Sequence, residues 1–179
     1  MAPTGKDFTS IIRPARPDDC GEIARMIKDL AEHQGSGAGS SETVTAEALR
    51  EDAFRDDPYF RALVAEVPGT ADGSGGEAQM IGYAMYYFCY SPFVRRAVYL
   101  QSFYVKPPYR GRGIGSSLMK EVAKIGVENS CNKMKWTCQG WDDVAIKFYK
   151  KCGGKDITEG LNCHLFNMDR EELIEFAKS

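Results

Sequence analysis

Glycine and arginine alternate in the segment YRGRGIGSS, which follows an apolar run and precedes an amphipathic one. The first N–H groups of a helix have no partner within the helix and carry a partial positive charge, so they bind anions. Gly111, Gly113 and Gly115 would let the backbone approach a phosphate closely, and Arg110 and Arg112 can add charge-assisted hydrogen bonds. The pattern indicates an anion site, although a solvated turn with capping glycines fits the glycine pattern equally well.

The sequence lacks the motifs of several other reactive sites. No Gly-Lys-Ser/Thr follows the glycines, as a P-loop for ATP or GTP requires, and the glycine spacing differs from the GxGxxG dinucleotide motif. The six cysteines form no CxxC or CxC pair, and His33 and His164 are the only histidines. We therefore expect neither a metal site nor a histidine-based catalytic triad.

A second motif, WDDVAIKFYKKCGG, lies further along the chain and predicts a helix that ends at Gly153 and Gly154. On its own, Tyr149 in this helix also fits a buried aromatic residue beside Phe148. Together, the segments VKPPYRGRGIGSSLM and WDDVAIKFYKKCGG resemble the two motifs of the GNAT superfamily of N-acetyltransferases. The resemblance runs over nearly the whole chain and is closest to the branch that acetylates polyamines and thialysine.

The resemblance implies that acetyl-CoA is the co-substrate. The backbone at the end of the strand before the first motif would bind the pantetheine arm, and the glycine–arginine turn would bind the pyrophosphate. Asp142 replaces a family asparagine, which removes an amide donor. Tyr149 would protonate the departing CoA thiolate, for which a phenol is a suitable general acid. The implied acetyl-CoA-binding residues are Phe103, Tyr104, Val105, Arg110, Gly111, Arg112, Gly113, Ile114, Gly115, Ser116, Asp142 and Ala145.

The acceptor side departs from the polyamine branch. Four positions that are acidic in the branch read Gln34, Ser91, Gln101 and Ser102 here, so the electrostatic complement of a polycation is missing. The glutamine at position 101 cannot accept the amine proton, so ordered water or an acceptor with a lower amine pKa has to compensate. The implied substrate-binding residues are Gln34, Phe93, Arg95, Gln101, Ser102 and Trp136.

Arg95 and Arg96 add positive charge close to the same strand. Together with the missing carboxylates they predict an acceptor that carries an anion beside its amine, such as an amino acid or a related zwitterion. Two alternatives stay open: a diamine, polyamine or thialysine acceptor, with the arginines on an exposed hairpin end, and a non-catalytic acetyl-CoA-binding protein. Tyr149 argues against the non-catalytic alternative, because binding alone needs no general acid.

A sheet and several helices have to position these residues. Apolar periodicity predicts a strand over 97–105, a helix from Gly113 to Glu128, a strand over 133–138, a helix over 142–152 and a final strand over 163–168. Helices and strands interleave and the central strands have short connections, which favours an α/β (α+β) fold with a mixed sheet. The resemblance implies the GNAT fold, a mostly antiparallel central sheet flanked by helices, with strands that splay at the acetyl-CoA site.

Length and composition limit the number of domains, the partners and the location that can be expected. The 179 residues suit a single domain over 1–179, in which we expect residues 1–8 to be flexible. The net charge of −2 gives no case for a nucleic-acid partner, and no stretch approaches the roughly 20 apolar residues of a membrane helix. The N-terminal MAPTGKDFTS lacks the apolar run of a signal peptide, so a cytoplasmic location is expected. The resemblance implies a homodimer that acts on a small-molecule amine.

Overall fold

The computed structural model describes residues 9–35, 44–69, 78–160 and 166–178. The chain forms two compact units, Met1–Gln139 and Gly140–Ser179. The segment 1–8, expected to be flexible, lies outside the described residues, and the single domain stays a prediction. Within the described ranges, no helix is long and apolar enough to span a membrane, and no group of three or more His, Cys, Asp or Glu residues is placed to hold a metal ion.

The first unit contains one five-stranded sheet. Its strands follow the order of the chain: β1 (Ile11–Pro14), β2 (Arg61–Val67), β3 (Gln79–Ser91), β4 (Arg95–Val105) and β5 (Lys133–Lys135). The first four strands pair antiparallel, and β5 is parallel to β4. The predicted mixed, mostly antiparallel sheet is therefore confirmed, although β5 ends at its third residue and does not extend over 133–138 as predicted.

Three helices of the first unit flank the sheet: α1 (Cys20–His33), α2 (Ala46–Ala53) and α3 (Ile114–Glu128). The start of α2 is fixed by Thr45, whose Oγ1 accepts a hydrogen bond from the N–H of Ala48 at 3.2 Å. The predicted helix from Gly113 to Glu128 is confirmed as α3, with Gly113 as its N-cap.

The helices cover both faces of the sheet. Ile23 and Met26 of α1 form a buried cluster with Leu49 of α2 and with Tyr83 and Tyr104 of the sheet. On the other face α3 lies close to β4, since a Cβ built on Gly126 would come within 2.9 Å of Cγ1 of Val98. Burial of these apolar side chains, at about 25 cal/mol per Å² of apolar surface, holds the layers together.

A half-buried ion network is centred on Arg13 of β1. Arg13 on β1 contacts Asp19 at 2.6 Å and Glu66 of β2 at 2.7 Å, and the three side chains are 18%, 11% and 18% exposed. Burial opposes the ionisation of Asp19, but the hydrogen bonds and charge of Arg13 outweigh it and hold the pKa of Asp19 below its ordinary value. The network therefore links β1, the turn before α1 and β2.

In the described part of the second unit there are two α-helices, α4 (Asp143–Lys151) and α5 (Arg170–Lys178). The N-terminus of α4 is capped by Asp142, whose Oδ1 accepts a hydrogen bond from the N–H of Ala145 at 2.9 Å. Of the strand predicted over 163–168, residues 163–165 lie outside the described residues. The prediction is wrong for residues 166–168, which form no strand.

Candidate active site

The strand β4 continues past the end of its neighbour β5. Pairing between the two strands ends at Tyr99 and Lys135, whereas β4 runs on to Val105. In the described part of the chain, the end of β4 therefore has no strand partner on this side. Exposed N–H and C=O groups along such an edge can hydrogen-bond an extended ligand. The resemblance implies that the strands splay here, and this stretch of β4 contains Phe103 and Tyr104.

The glycine–arginine turn connects β4 to α3. Gly111 and Gly113 have φ angles of 74° and 84°, in the left-handed region that favours glycine. The first hydrogen bond of α3 runs from the N–H of Ser117 to the carbonyl of Gly113 at 2.9 Å. The N–H groups of Ile114 and Gly115 precede this bond and lie at the positive end of the helix. A Cβ on Gly111 or Gly113 would meet nothing within 4 Å, so the space in front of the turn is open.

Contacts with β3 and α1 anchor the chain before this turn. Nζ of Lys106 lies 2.6 Å from a carboxylate oxygen of Glu22 on α1, and the backbone N–H of Lys106 donates to the carbonyl of Ile81 at 2.9 Å. The hydroxyl of Tyr109 donates to the side-chain carbonyl of Gln79 at 2.7 Å. These bonds fix where β4 ends and where the turn begins.

Arg110 folds back onto the end of β4. Its Nε donates a hydrogen bond to the carbonyl of Val105 at 2.8 Å, and its guanidinium carbon lies 5.4 Å from the centroid of the Tyr104 ring. Burial raises the pKa of the Tyr104 hydroxyl, so this ring stays neutral beneath the guanidinium. Arg110 therefore braces the strand end, and its contact with a pyrophosphate stays a prediction.

A β-bulge interrupts β4 at Gln101. Met85 pairs with Ser102 and Tyr86 pairs with Leu100, so Gln101 is the additional residue on β4. The side chain of Gln101 is exposed and that of Ser102 is half-buried. The bulge therefore presents one amide and one hydroxyl where the polyamine branch is expected to carry two acids.

Side chains before and after the bulge point to opposite faces of the sheet. Val98 packs against α3, whereas Tyr104 belongs to the cluster with α1. In an uninterrupted strand these two residues would share a face, because side chains alternate with a period of two. On the α1 face the hydroxyl oxygens of Tyr83 and Ser102 lie 2.6 Å apart. Tyr83 could not be predicted as a site residue, since the continuous apolar run of β3 shows no alternation, and the bulge has no signal of its own in the sequence of β4.

The other predicted acceptor residues lie elsewhere in the first unit. Phe93, which is 93% exposed, lies in the turn between β3 and β4, and Arg95 begins β4 with a φ angle of 65°. Arg95 and Gln101 are separated by roughly 20 Å along the strand at about 3.3 Å per residue. Gln34 ends α1, and Trp136 directly follows β5. One chain thus brings Gln101 together with Ser102 but not with Phe93 or Arg95.

Three predicted residues belong to the second unit. Tyr149 is a half-buried residue of α4, and its ring centroid lies 5.2 Å from that of Phe148. Asp142 and Ala145 are joined by the capping hydrogen bond of the same helix. Asp142 therefore has a structural role at the helix N-terminus, and its contact with acetyl-CoA stays a prediction.

An open strand edge followed by a glycine turn and a helix N-terminus is the arrangement that an extended, phosphate-bearing acyl donor requires. The sequence profile of the Acetyltransferase (GNAT) family matches residues 24–154, so the chain belongs to this family. It is an acetyl-CoA-dependent N-acetyltransferase with a mixed α/β fold.

Two relatives indicate which branch of the family this chain is similar to. Thialysine N-epsilon-acetyltransferase of Sus scrofa is 40% identical over 170 residues, which cover 93% of this chain and 96% of that protein. Spermidine/spermine N(1)-acetyltransferase-like protein 1 of Homo sapiens is 37% identical over 177 residues, 99% of this chain but 25% of that protein. Among solved structures, the integron cassette protein VCH_CASS6 of V. cholerae superposes with a TM-score of 0.70 at 22% identity, over 95% of this chain and 98% of that one. At this identity it shows the fold alone.

Proposed function

We propose that the protein acetylates the amine of a small amino acid or related zwitterion, with thialysine as the first candidate. The observation that carries the proposal is the pair of neutral side chains, Gln101 and Ser102, at the bulge of β4. Carboxylates at this place would complement a polycation, whereas an amide and a hydroxyl hydrogen-bond an acceptor of lower charge. The name of the relatives supports an amino acid, because thialysine is lysine with sulfur in place of one side-chain methylene.

The donor site in this proposal follows the open end of β4 and the turn after it. The backbone of residues 103–105 binds the pantetheine arm, and the N–H groups from Gly111 to Ser116 bind the pyrophosphate. Gly111 and Gly113, which lie at this turn, have positive φ, and the space before them is open. Arg110 holds the strand end in place and adds positive charge near the phosphates.

The proposed chemistry is direct transfer. The neutral amine attacks the thioester carbon, the new C–N bond forms, and the tetrahedral oxyanion collapses as the C–S bond of acetyl-CoA breaks. Tyr149 donates its phenolic proton to the departing thiolate, and the proton of the attacking amine passes to water. Tyr149 regains its proton from solvent before the next turnover.

The missing base at position 101 favours an acceptor whose amine loses its proton easily. A glutamine amide does not ionise near neutral pH, so Gln101 cannot take up the amine proton. The sulfur of thialysine withdraws electron density from the terminal amine and lowers its pKa relative to lysine. We therefore expect kcat/KM to rise at a lower pH with thialysine than with lysine, in a pH profile measured under identical conditions.

The hairpin between β3 and β4 is the part of the chain that we expect to contact a second copy. Within one chain Arg95 lies roughly 20 Å from Gln101 along β4, at about 3.3 Å per residue, and Phe93 lies in the turn before Arg95. We propose that the protein is a homodimer in which this exposed hairpin reaches the acceptor site of the second copy. Sedimentation velocity with the wild type and with Phe93→Ser tests the dimer, which the substitution should weaken.

A panel of acceptors tests the proposed function. Release of CoA thiol would be followed with thialysine, lysine, ornithine, putrescine, spermidine and spermine at equal concentrations. We expect the highest kcat/KM with an amino acid, and Gln101→Glu together with Ser102→Asp should shift activity toward spermidine. If spermidine is far better than every amino acid in the wild type, the acceptor is a polyamine and the proposal is wrong.

A further inference from the structure

Tyr83 and Ser102 form a hydrogen-bonded pair beneath the bulge of β4. Their hydroxyl oxygens lie 2.6 Å apart, and Tyr83 is fully buried while Ser102 is half-buried. Tyr83 pairs across the strands with Tyr104, so Ser102 is its diagonal neighbour on the same face, within reach of a long aromatic side chain. Without the additional residue Gln101, Ser102 would point to the face of α3, and the two hydroxyls could not meet.

The distance fits a hydrogen bond in either direction, and the acidity of the two hydroxyls decides between them. A phenol is more acidic than an aliphatic alcohol and is the better donor, so we assign the proton of Tyr83 to the bond with Oγ of Ser102. Burial raises the pKa of Tyr83 further, which keeps the phenol protonated at every physiological pH. Once Oγ of Ser102 accepts this bond, its own hydrogen is left to donate to a ligand that reaches this half-buried side chain. Successive hydroxyls polarise each other, which strengthens the outer donor.

A hydroxyl donor at this place selects for negative charge. Charge-assisted hydrogen bonds to a carboxylate are roughly twice as strong as neutral ones. An ammonium group, which has donors only, gains nothing from a second donor. The direction of the pair therefore favours an acceptor that carries a carboxylate over a diamine of the same length.

We propose that Tyr83 is a positioning residue for acceptor selection, which orients the hydroxyl of Ser102 to donate to the carboxylate of a zwitterionic acceptor. This inference rests on the proposed function and adds the group that recognises the carboxylate. Ser102 contacts the acceptor, and Tyr83 acts through Ser102. The burial of Tyr83 makes the arrangement rigid, since its ring belongs to the cluster with Ile23 and Met26.

Two acceptor pairs test the proposal, because each pair differs only in the carboxylate. They are thialysine with bis(2-aminoethyl) sulfide, and L-lysine with cadaverine. We expect Tyr83→Phe to lower kcat/KM about tenfold for each amino acid, the loss of one charge-assisted bond, and to leave each diamine within about twofold. Ser102→Ala should do the same, Ser102→Thr should retain most of the preference, and the double variant should lose no more than Ser102→Ala alone.

Tyr86→Phe is the matched control, since Tyr86 is a second buried tyrosine of β3 and lies outside this pair. It should leave both acceptor ratios unchanged. If Tyr83→Phe lowers kcat/KM equally for amino acid and diamine, the pair is only structural and the proposal is overturned. If the wild type already prefers the diamines, the proposed function fails as well. A wild type that prefers amino acids, with a ratio that Tyr83→Phe does not change, rejects this inference alone.

Discussion

The substitution Gly113→Ala separates the conformational role of the turn from its role in binding. Gly113 has a φ angle of 84°, and a Cβ there would meet no atom within 4 Å. The cost to the free protein is therefore conformational and amounts to about 1–2 kcal/mol for a left-handed alanine. For a chain of this size that is a decrease in Tm of roughly 2–8 °C.

Gly113→Ala should weaken CoA binding by more than it lowers the stability of the free protein. The added methyl group projects into the open space before the turn, where the proposed pyrophosphate lies against the N–H groups of Ile114 and Gly115. Loss of one or two charge-assisted bonds, at about 1.5–3 kcal/mol each, corresponds to an increase of ten- to a hundredfold or more in the Kd for CoA. Isothermal titration calorimetry gives this Kd, and melting with and without CoA gives the linked change in stability.

Gly21→Ala is the control for this experiment. Gly21 also has open space around its Cβ position, but its φ is not positive and it lies in α1. This substitution should leave the Kd for CoA unchanged. The higher helix propensity of alanine should raise the free energy of unfolding by up to about 1 kcal/mol, so Tm should stay the same or rise slightly. A Gly113→Ala variant that melts earlier but binds CoA as tightly as the wild type would refute the pyrophosphate site at this turn.

Three other substitutions have defined outcomes. Tyr149→Phe should lower kcat about 10²–10⁴-fold in steady-state assays and leave the Kd for acetyl-CoA unchanged, because it removes only the proposed general acid. Asp19→Asn breaks the half-buried pair with Arg13 and should lower the free energy of unfolding in urea by about 1–2 kcal/mol at pH 7. Since the folded pKa of Asp19 is below its ordinary value, this stability is present above the ordinary pKa and is lost as pH falls through the folded one. Lys106→Met removes the ion pair with Glu22, worth at most about 1 kcal/mol, and should raise the Kd for acetyl-CoA up to about fivefold at unchanged kcat.

Each of these outcomes has a result that contradicts it. Full activity in Tyr149→Phe would assign thiolate protonation to another group or to water. A constant stability difference between wild type and Asp19→Asn from pH 7 to pH 3 would mean that the ionised carboxylate is not what stabilises the network. A change of kcat without a change of Kd in Lys106→Met would show that the ion pair does not position the donor site.

Sequence periodicity was sufficient for the strand β4 and the helix α3, because each has a clear apolar pattern and a glycine or proline at its boundary. It was not sufficient for the length of β5, which ends at Lys135 although the apolar pattern continues to Cys138. Strand formation there depends on pairing with β4, and propensity alone does not show where pairing ends. The bulge at Gln101 was also missed, since strands buried on both faces read as continuous apolar runs.

The two halves of the candidate site were predictable to different degrees for a physical reason. In the proposed site the donor half uses the backbone: the stretch of β4 that continues past β5, and Gly111 and Gly113 with positive φ, which leave a recognisable pattern in the sequence. In the proposed site the acceptor half uses the side chains of Gln101 and Ser102 at a single bulge, which leave no backbone pattern in the sequence. A change of acceptor therefore needs few substitutions, and the acid-to-neutral changes at this bulge, with Tyr83 beneath it, are where acceptor selectivity in this chain should be sought.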